Sequence, residues 1–154
     1  MKGFLIDPIL KHIYEVGTPG QLHDIYQLID CDCIDTVAIN DEMDVLYVDD
    51  NGLSKYNQSF FAFANYPNPL AGTSLALGTT LEGETVSVKA VTLKQLHQDI
   101  EFISRETALV MADAADIYSQ ERIKNIDDGF QHIYIPIADI IRSTGYTKES
   151  EESA

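Results

Sequence analysis

Basic residues are scarce in this chain of 154 residues, which has 10 lysines and arginines against 25 aspartates and glutamates. The formal net charge of −15 produces a field that repels nucleic acid and anionic membranes and attracts basic surfaces. Direct binding to nucleic acid is therefore not expected. Tryptophan is absent, and no apolar run approaches the roughly 20 residues that a membrane span needs. We expect no membrane partner.

Cysteine is also rare, and Cys31 and Cys33 are spaced for neither an ordinary disulfide nor a Cys-x-x-Cys zinc half-site. The first residues, MKGFLIDPIL, lack a small-residue cleavage site. We therefore expect a protein of the reducing host cytoplasm. The flanking carboxylates of Asp30, Asp32 and Asp35 would raise the pKa of both thiols, which disfavours a nucleophilic role.

Strand patterns dominate the first 91 residues. Apolar, β-branched and aromatic residues alternate or cluster in seven short stretches separated by turn residues. These stretches are GFLID, HIYEVGT, DTVAIN, DVLYVDD, SFFAFAN, SLALGTT and ETVSVKAVT. Helical spacing of apolar residues predicts one helix over 20–30, and Asn51-Gly52 predicts a tight turn. The stretches therefore predict antiparallel hairpins with one intervening helix.

Helical periodicity takes over from residue 92. Thr92 and Gln95 have the spacing of a capping box. The apolar stripe of the predicted helix consists of Leu93, Leu96, Ile100 and Ile103. A second helix is predicted over 106–124, and its partner-facing residues are Leu109, Ala112, Ile117 and Tyr118.

The predicted fold class is α+β, with a mainly antiparallel sheet packed on one face by helices and a C-terminal helical addition. Residues 1–104 are predicted to form a small α+β domain. Residues 105–146 would pack on it within the same domain and include a late strand in GFQHIYIPI, residues 129–137. Residues 147–154 predict a disordered acidic tail. An amphipathic helix pair can bury its stripe on the sheet or on a second copy, so a homodimer stays open.

Acidic residues are concentrated in one interval. Between residues 12 and 54 there are ten acids and no lysine or arginine. Because strand ends and turns lie at the surface, the acids of the predicted meander are expected to form an anionic partner-binding surface. Its candidate residues are Asp30, Asp32, Asp35, Asp41, Glu42, Asp44, Asp49 and Asp50. Two other interpretations stay open: a solvated face that aids solubility, and a carboxylate metal site.

The stretch LYVDDNG, residues 46–52, matches the Tyr-x-Asp-Asp of reverse transcriptases, but this short acidic chain offers no basic template channel. DCDCID lacks the glycine and glutamate of a calcium-binding EF-hand loop. The four histidines are scattered, and no nucleophile elbow, phosphate loop or zinc-protease motif is present. We therefore predict no catalytic residue, no metal ligand and no cofactor.

Several stretches together resemble a family of small domains of unknown function found in bacteria, phages, plasmids and other mobile elements. They are MKGFLIDP, IYQLIDCD, LYVDDNGLSK, FF, YPNPLAGTSLALGT and EGETVSVK, within residues 2–104. The resemblance implies an accessory gene on a mobile element, and it carries no activity or catalytic residue. It also implies a structural role for the aspartates before Asn51-Gly52 and for the loop around Pro67, Pro69 and Gly72.

Two functions are compatible with these observations. The first is a non-enzymatic phage or mobile-element protein that binds a basic surface of a host defence complex, such as a CRISPR effector or a restriction enzyme. Inhibition could arise by nucleic-acid mimicry, because carboxylates at strand ends can imitate phosphates. The alternative is a small-ligand- or metal-binding enzyme domain, using Asp49, Asp50 or a pocket beside the Pro-Leu-Ala-Gly loop.

Overall fold

A computed structural model describes residues 1–55, 58–64 and 66–115 of the chain. The predicted late strand, the acidic tail, and the residues Ile117 and Tyr118 lie outside this part. The described elements are, in chain order, β1 (Lys2–Asp7), β2 (His12–Gly17), α1 (Leu22–Ile29), β3 (Ile34–Ala38), β4 (Asp44–Asp49), a 3-10 helix η1 (Gly52–Ser54), β5 (Phe60–Phe63), β6 (Leu70–Ala71), β7 (Ser74–Thr79), β8 (Thr85–Val86), α2 (Leu93–Asp99), β9 (Ile100–Ile103), and helical residues 105–115.

Two antiparallel sheets form the fold. The larger has the order β2-β1-β7-β4-β3, and β8 pairs with β7 outside that path. The smaller has the order β6-β5-β9. The β1–β2 and β3–β4 hairpins confirm the strand pairs expected from the sequence. Because β7 lies between β1 and β4, it joins these two hairpins into one sheet.

Alternating side chains of the larger sheet fill two cores. On one face, Leu5, Tyr47 and Leu75 pack with Ile25 and Ile29 of α1. On the opposite face, neighbouring strand residues pack with the smaller sheet and α2, and this core includes Phe4, Leu46, Phe61, Ala76 and Leu96. The α+β class and the mainly antiparallel sheet are therefore confirmed. Helices contact both faces of the larger sheet rather than one, because β1, β4 and β7 carry apolar residues on both of its faces.

The predicted helix after residue 92 is shorter than its apolar stripe. Its start is confirmed, since the Thr92 side chain accepts a hydrogen bond from the Gln95 N–H at 3.1 Å. The helix ends at Asp99, and Ile100 and Ile103 belong to β9, where they pair with Phe63 and Phe60. The prediction that both isoleucines continue the helical stripe is wrong. Spacing of three residues suits a helix, but pairing with β5 buries both side chains in strand geometry.

The helix that follows packs through a different face from the predicted one. Within 105–115 the buried side chains include Thr107, Ala108, Met111 and Ala115. Leu109 is 56% exposed, so its predicted position against a partner element is wrong within the described residues. The small alanines and the flexible Met111 pack against the smaller sheet instead.

In the part of the chain that the structure describes, no helix is long and apolar enough to cross a membrane.

Candidate functional site

The stretches LYVDDNGLSK and YPNPLAG meet in space at Gly52 and Ala71. Asn51-Gly52 turns the chain through η1 rather than through a hairpin, because β4 and β5 belong to different sheets. A Cβ atom on Gly52 would lie 2.8 Å from the Ala71 carbonyl oxygen and 3.3 Å from the Ala71 Cβ. Glycine is therefore required by close backbone packing, and this contact places Asp49 and Asp50 beside the Pro-rich loop.

Asp49, which precedes the Gly52–Ala71 contact in the chain, forms an ion pair with Lys55. Its side chain is 4% exposed, and its Oδ2 lies 2.5 Å from Lys55 Nζ. Its Oδ1 accepts the Asn51 N–H at 3.0 Å. The hydrogen bond to Asp49 raises the pKa of Lys55, against a smaller lowering by burial. Since both oxygens are already engaged, Asp49 stabilises the turn and contributes little to an exposed anionic surface.

Asp44 is a second candidate acid that does not lie on an exposed surface. It is completely buried at the start of β4. One oxygen accepts the Lys89 N–H at 2.7 Å. The other accepts the N–H groups of Ala90 and Val91, each at 2.8 Å, and Asn40 Nδ2 at 2.9 Å. Burial disfavours the charged form, but these hydrogen bonds outweigh it and lower the pKa of Asp44. A carboxylate held in this way fastens the β8–α2 connection to β4 and cannot reach a partner.

The six remaining candidate acids are exposed, and they occupy two ends of the β3–β4 hairpin. Asp41 and Glu42 lie in the turn that joins the two strands. The acidic rim, as we name the group at the other end, consists of Asp30, Asp32, Asp35 and Asp50. The ends of β4 are about 17 Å apart at the usual rise of about 3.4 Å per residue. The predicted surface is therefore divided into the acidic rim and a separate turn pair.

The members of the acidic rim line two separate pockets. Asp30, Asp32 and Lys55 line an open pocket of about 400 Å³. Asp35 and Asp50 line a second cavity of about 120 Å³, together with Asp49, Tyr66 and Pro69 among others. Burial, followed by the carboxylates of Asp35 and Asp50, raises the pKa of Tyr66. Among the described residues, no ion pair involves a carboxylate of the rim, so their charge is not compensated by direct contact.

The cysteines lie between these carboxylates. The Cys33 thiol donates to Asp50 Oδ2 at 3.8 Å. Partial desolvation and then the carboxylates of Asp50, Asp49 and Asp35 raise the pKa of Cys33. Burial and the charge of Asp49 raise the pKa of Cys31. These directions agree with the sequence argument that both thiols are poor nucleophiles.

The two aspartates of the Tyr-x-Asp-Asp stretch lie in different environments. The Asp49 side chain is nearly buried and paired with Lys55, whereas its neighbour Asp50 is exposed, so the two do not form an open carboxylate pair. Over residues 1–55, 58–64 and 66–115, no group of three or more histidine, cysteine or acidic side chains is placed to hold a metal ion. Two-metal catalysis uses carboxylates that converge on the ions, and within the described ranges Asp49 and Asp50 are not part of such a group.

Lys55, Tyr66 and Asn40 have roles that sequence reasoning did not identify. In the sequence, Lys55 is only the first basic residue after the acidic interval 12–54, whereas in the structure it is the ion-pair partner of Asp49. Tyr66 lies in the stretch YPNPLAG and faces the rim carboxylates. Asn40 precedes Asp44 by four residues, and its Oδ1 accepts the Asp44 N–H at 3.1 Å. An asparagine in a strand-connecting turn is a signal for such local hydrogen bonds, whereas the other two contacts have no local signal.

Comparison with known proteins gives a family without an activity. A family model described as "Domain of unknown function (DUF3846)" matches residues 1–101. This range covers both sheets except the end of β9, and it includes the acidic rim and the Gly52–Ala71 contact. No curated protein matches. No solved structure matches either.

Proposed function

We propose that this chain, which belongs to the family of the domain of unknown function DUF3846, is a non-enzymatic protein that binds a basic surface of another protein through its acidic rim. The observation that carries the proposal is the accumulation of Asp30, Asp32, Asp35 and Asp50 around one end of the β3–β4 hairpin. They are exposed and without ion pairs in the described part of the chain. Self-repulsion at such a site costs stability, and a cationic partner would remove this cost.

The concrete partner in this proposal is the nucleic-acid-binding groove of a host defence complex, either a CRISPR effector or a restriction enzyme. The resemblance to domains of phages and mobile elements motivates this choice, and the acidic rim provides the matching charge. Carboxylates in place of phosphates would let the protein occupy the groove by nucleic-acid mimicry in the host cytoplasm. Charge pairs with arginine and lysine would give fast, specific and salt-sensitive association.

Two charge-reversal variants of equal net charge test this proposal. Asp32→Lys with Asp50→Lys changes the acidic rim, and Asp41→Lys with Glu42→Lys changes the turn pair. We expect the rim variant to lose inhibition of DNA cleavage by a purified effector by at least about tenfold, and the turn variant to lose much less. Equal losses would show a response to net charge alone. A lack of inhibition at low salt across CRISPR effectors and restriction enzymes would remove the defence complex as the partner.

A groove beside η1 supports a second candidate, a small-ligand module. It has a volume of about 240 Å³ and lies between Leu53 and Leu109, each 56% exposed. Lys55 and Arg105 border its apolar walls. An anionic molecule with an apolar portion would complement this lining. Calorimetry with short-chain carboxylates tests it, since binding should weaken in Arg105→Gln. Titration with magnesium, manganese and zinc tests the metal-dependent form.

A further inference from the structure

Strand β3 is the edge of the larger sheet that lies within the acidic rim. Over the described residues it pairs with β4 alone. The Asp50 N–H donates to the Cys33 carbonyl at 2.9 Å, and the Ile39 N–H donates to the Asp44 carbonyl at 2.9 Å. Hydrogen-bonded pairs alternate with non-hydrogen-bonded pairs in an antiparallel ladder. The backbone groups of residues 34, 36 and 38 therefore point away from β4, toward the side of β3 on which the described residues place no strand.

An acidic side chain occupies the central outward N–H of this edge. Asp35 Oδ1 accepts the outward N–H of Thr36 at 2.8 Å. Charged residues on edge strands prevent pairing with other strands. Here the charge is also selective, because a lysine or arginine opposite Asp35 would neutralise it and release the Thr36 N–H for a ladder. An acidic strand would be repelled, and an uncharged strand would leave the carboxylate without a partner.

We infer that the β3 edge receives an extended basic segment of the partner protein as an additional strand. This inference rests on the proposed function and names the mode in which the acidic rim is used. Main-chain hydrogen bonds to residues 34, 36 and 38 supply the affinity, and Asp32, Asp35 and Asp50 select lysine and arginine side chains. A second copy of this chain does not fit the same edge, because two β3 strands would bring their carboxylates together.

The experiment uses the full chain and short synthetic peptides. One peptide alternates lysine and threonine, a second has glutamate in place of lysine, and a third is the lysine peptide N-methylated on the amides of one edge. We expect the lysine peptide to shift the NMR signals of Ile34, Thr36 and Ala38 and to slow amide exchange at Ile34 and Ala38. The glutamate peptide should have no effect. N-methylation should weaken binding about tenfold, which corresponds to roughly 1.4 kcal/mol.

A protein variant complements the methylated peptide. Thr36→Pro removes an outward N–H, so it leaves the β3–β4 ladder bonds in place but blocks strand addition. The methylated peptide tests the same hydrogen bonds if this variant fails to fold. Equal binding of methylated and unmethylated peptides would overturn strand addition, yet would leave the proposed function standing if the rim charge reversals still abolish binding. Binding that is unchanged by the rim charge reversals would overturn both strand addition and the proposed function. Protected Ile34 and Ala38 amides in the free chain would show that the edge is already covered.

Discussion

The carboxylate of Asp44 accepts the Val91 N–H at 2.8 Å, although 47 positions of sequence separate the two residues. The neighbouring amides of Lys89 and Ala90 donate to the same side chain. One buried charge thereby organises three successive backbone donors before α2. Such charge-assisted hydrogen bonds are stronger than neutral ones. Asp44 is therefore expected to be among the more sensitive positions in the larger sheet.

Replacing Asp44 with asparagine should destabilise the fold by about 3 kcal/mol. Asparagine keeps one acceptor oxygen but directs an NH₂ group at backbone N–H donors, which would then lack partners. Urea denaturation followed by circular dichroism measures the change. The exposed Asp41→Asn is the matched control, with an expected change within about 0.5 kcal/mol. Similar losses in both variants would contradict the role assigned to Asp44.

Acid stability should depend on Asp44 in a defined direction. Its pKa in the folded protein is lowered from 3.8, so the unfolded chain binds more protons between the two pKa values. The stabilising contribution is present above pH 3.8 and is lost as pH falls through the lowered pKa. Free energies of unfolding measured against pH should therefore fall less steeply below about pH 4 in Asp44→Asn than in the unchanged protein. An unchanged slope would contradict this assignment.

The pKa of Asp99 is shifted in the opposite direction from that of Asp44. Burial raises its pKa above 3.8, so the folded state binds more protons than the unfolded state between the two values. Its ionised form therefore destabilises the fold at neutral pH, and this cost disappears as pH falls through the raised pKa. We expect Asp99→Asn to increase the free energy of unfolding at pH 7 and to remove this contribution to the pH profile. Lower stability at pH 7 would contradict the sign.

Gly52→Ala should destabilise the protein by about 1–3 kcal/mol, because the added Cβ overlaps the Ala71 carbonyl oxygen. Backbone atoms cannot turn aside as a flexible side chain can. Gly17→Ala is the control, since a Cβ at Gly17 would meet no atom within 4 Å. Thermal denaturation of both variants distinguishes local packing from a general glycine effect. Equal melting temperatures for the two would show that the Gly52 contact relaxes without cost.

Lys55→Met should cost about 1–2 kcal/mol, since it leaves the nearly buried Asp49 carboxylate without its cation. The cost is moderated because the Lys55 side chain is 40% exposed and water screens the pair. A double-mutant cycle with Asp49→Asn isolates the interaction. Additive losses in the double variant would mean that the pair contributes nothing to stability.

Alkylation of Cys33 by iodoacetamide should be slower than that of a free cysteine, although the residue is exposed. Partial desolvation and the Asp50 carboxylate raise its thiol pKa and reduce the thiolate fraction. Asp50→Asn should increase the rate at neutral pH, whereas Asp41→Asn at the far end of the hairpin should leave it unchanged. Equal alkylation rates in Asp50→Asn and the unchanged protein would show that this carboxylate has no influence on the thiol.

Local patterns by themselves determined the hairpins, α1, and the start of α2, because alternation and capping act between residues close in the chain. The Thr92 cap and the β3–β4 pairing needed only neighbouring residues. Tertiary structure decided that Ile100 and Ile103 pair with β5. It also decided which acids remain at the surface. Asp44 and Asp50 have the same side chain, and their different burial follows from what folds over each: the 89–91 backbone covers Asp44, whereas Asp50 stays open to solvent.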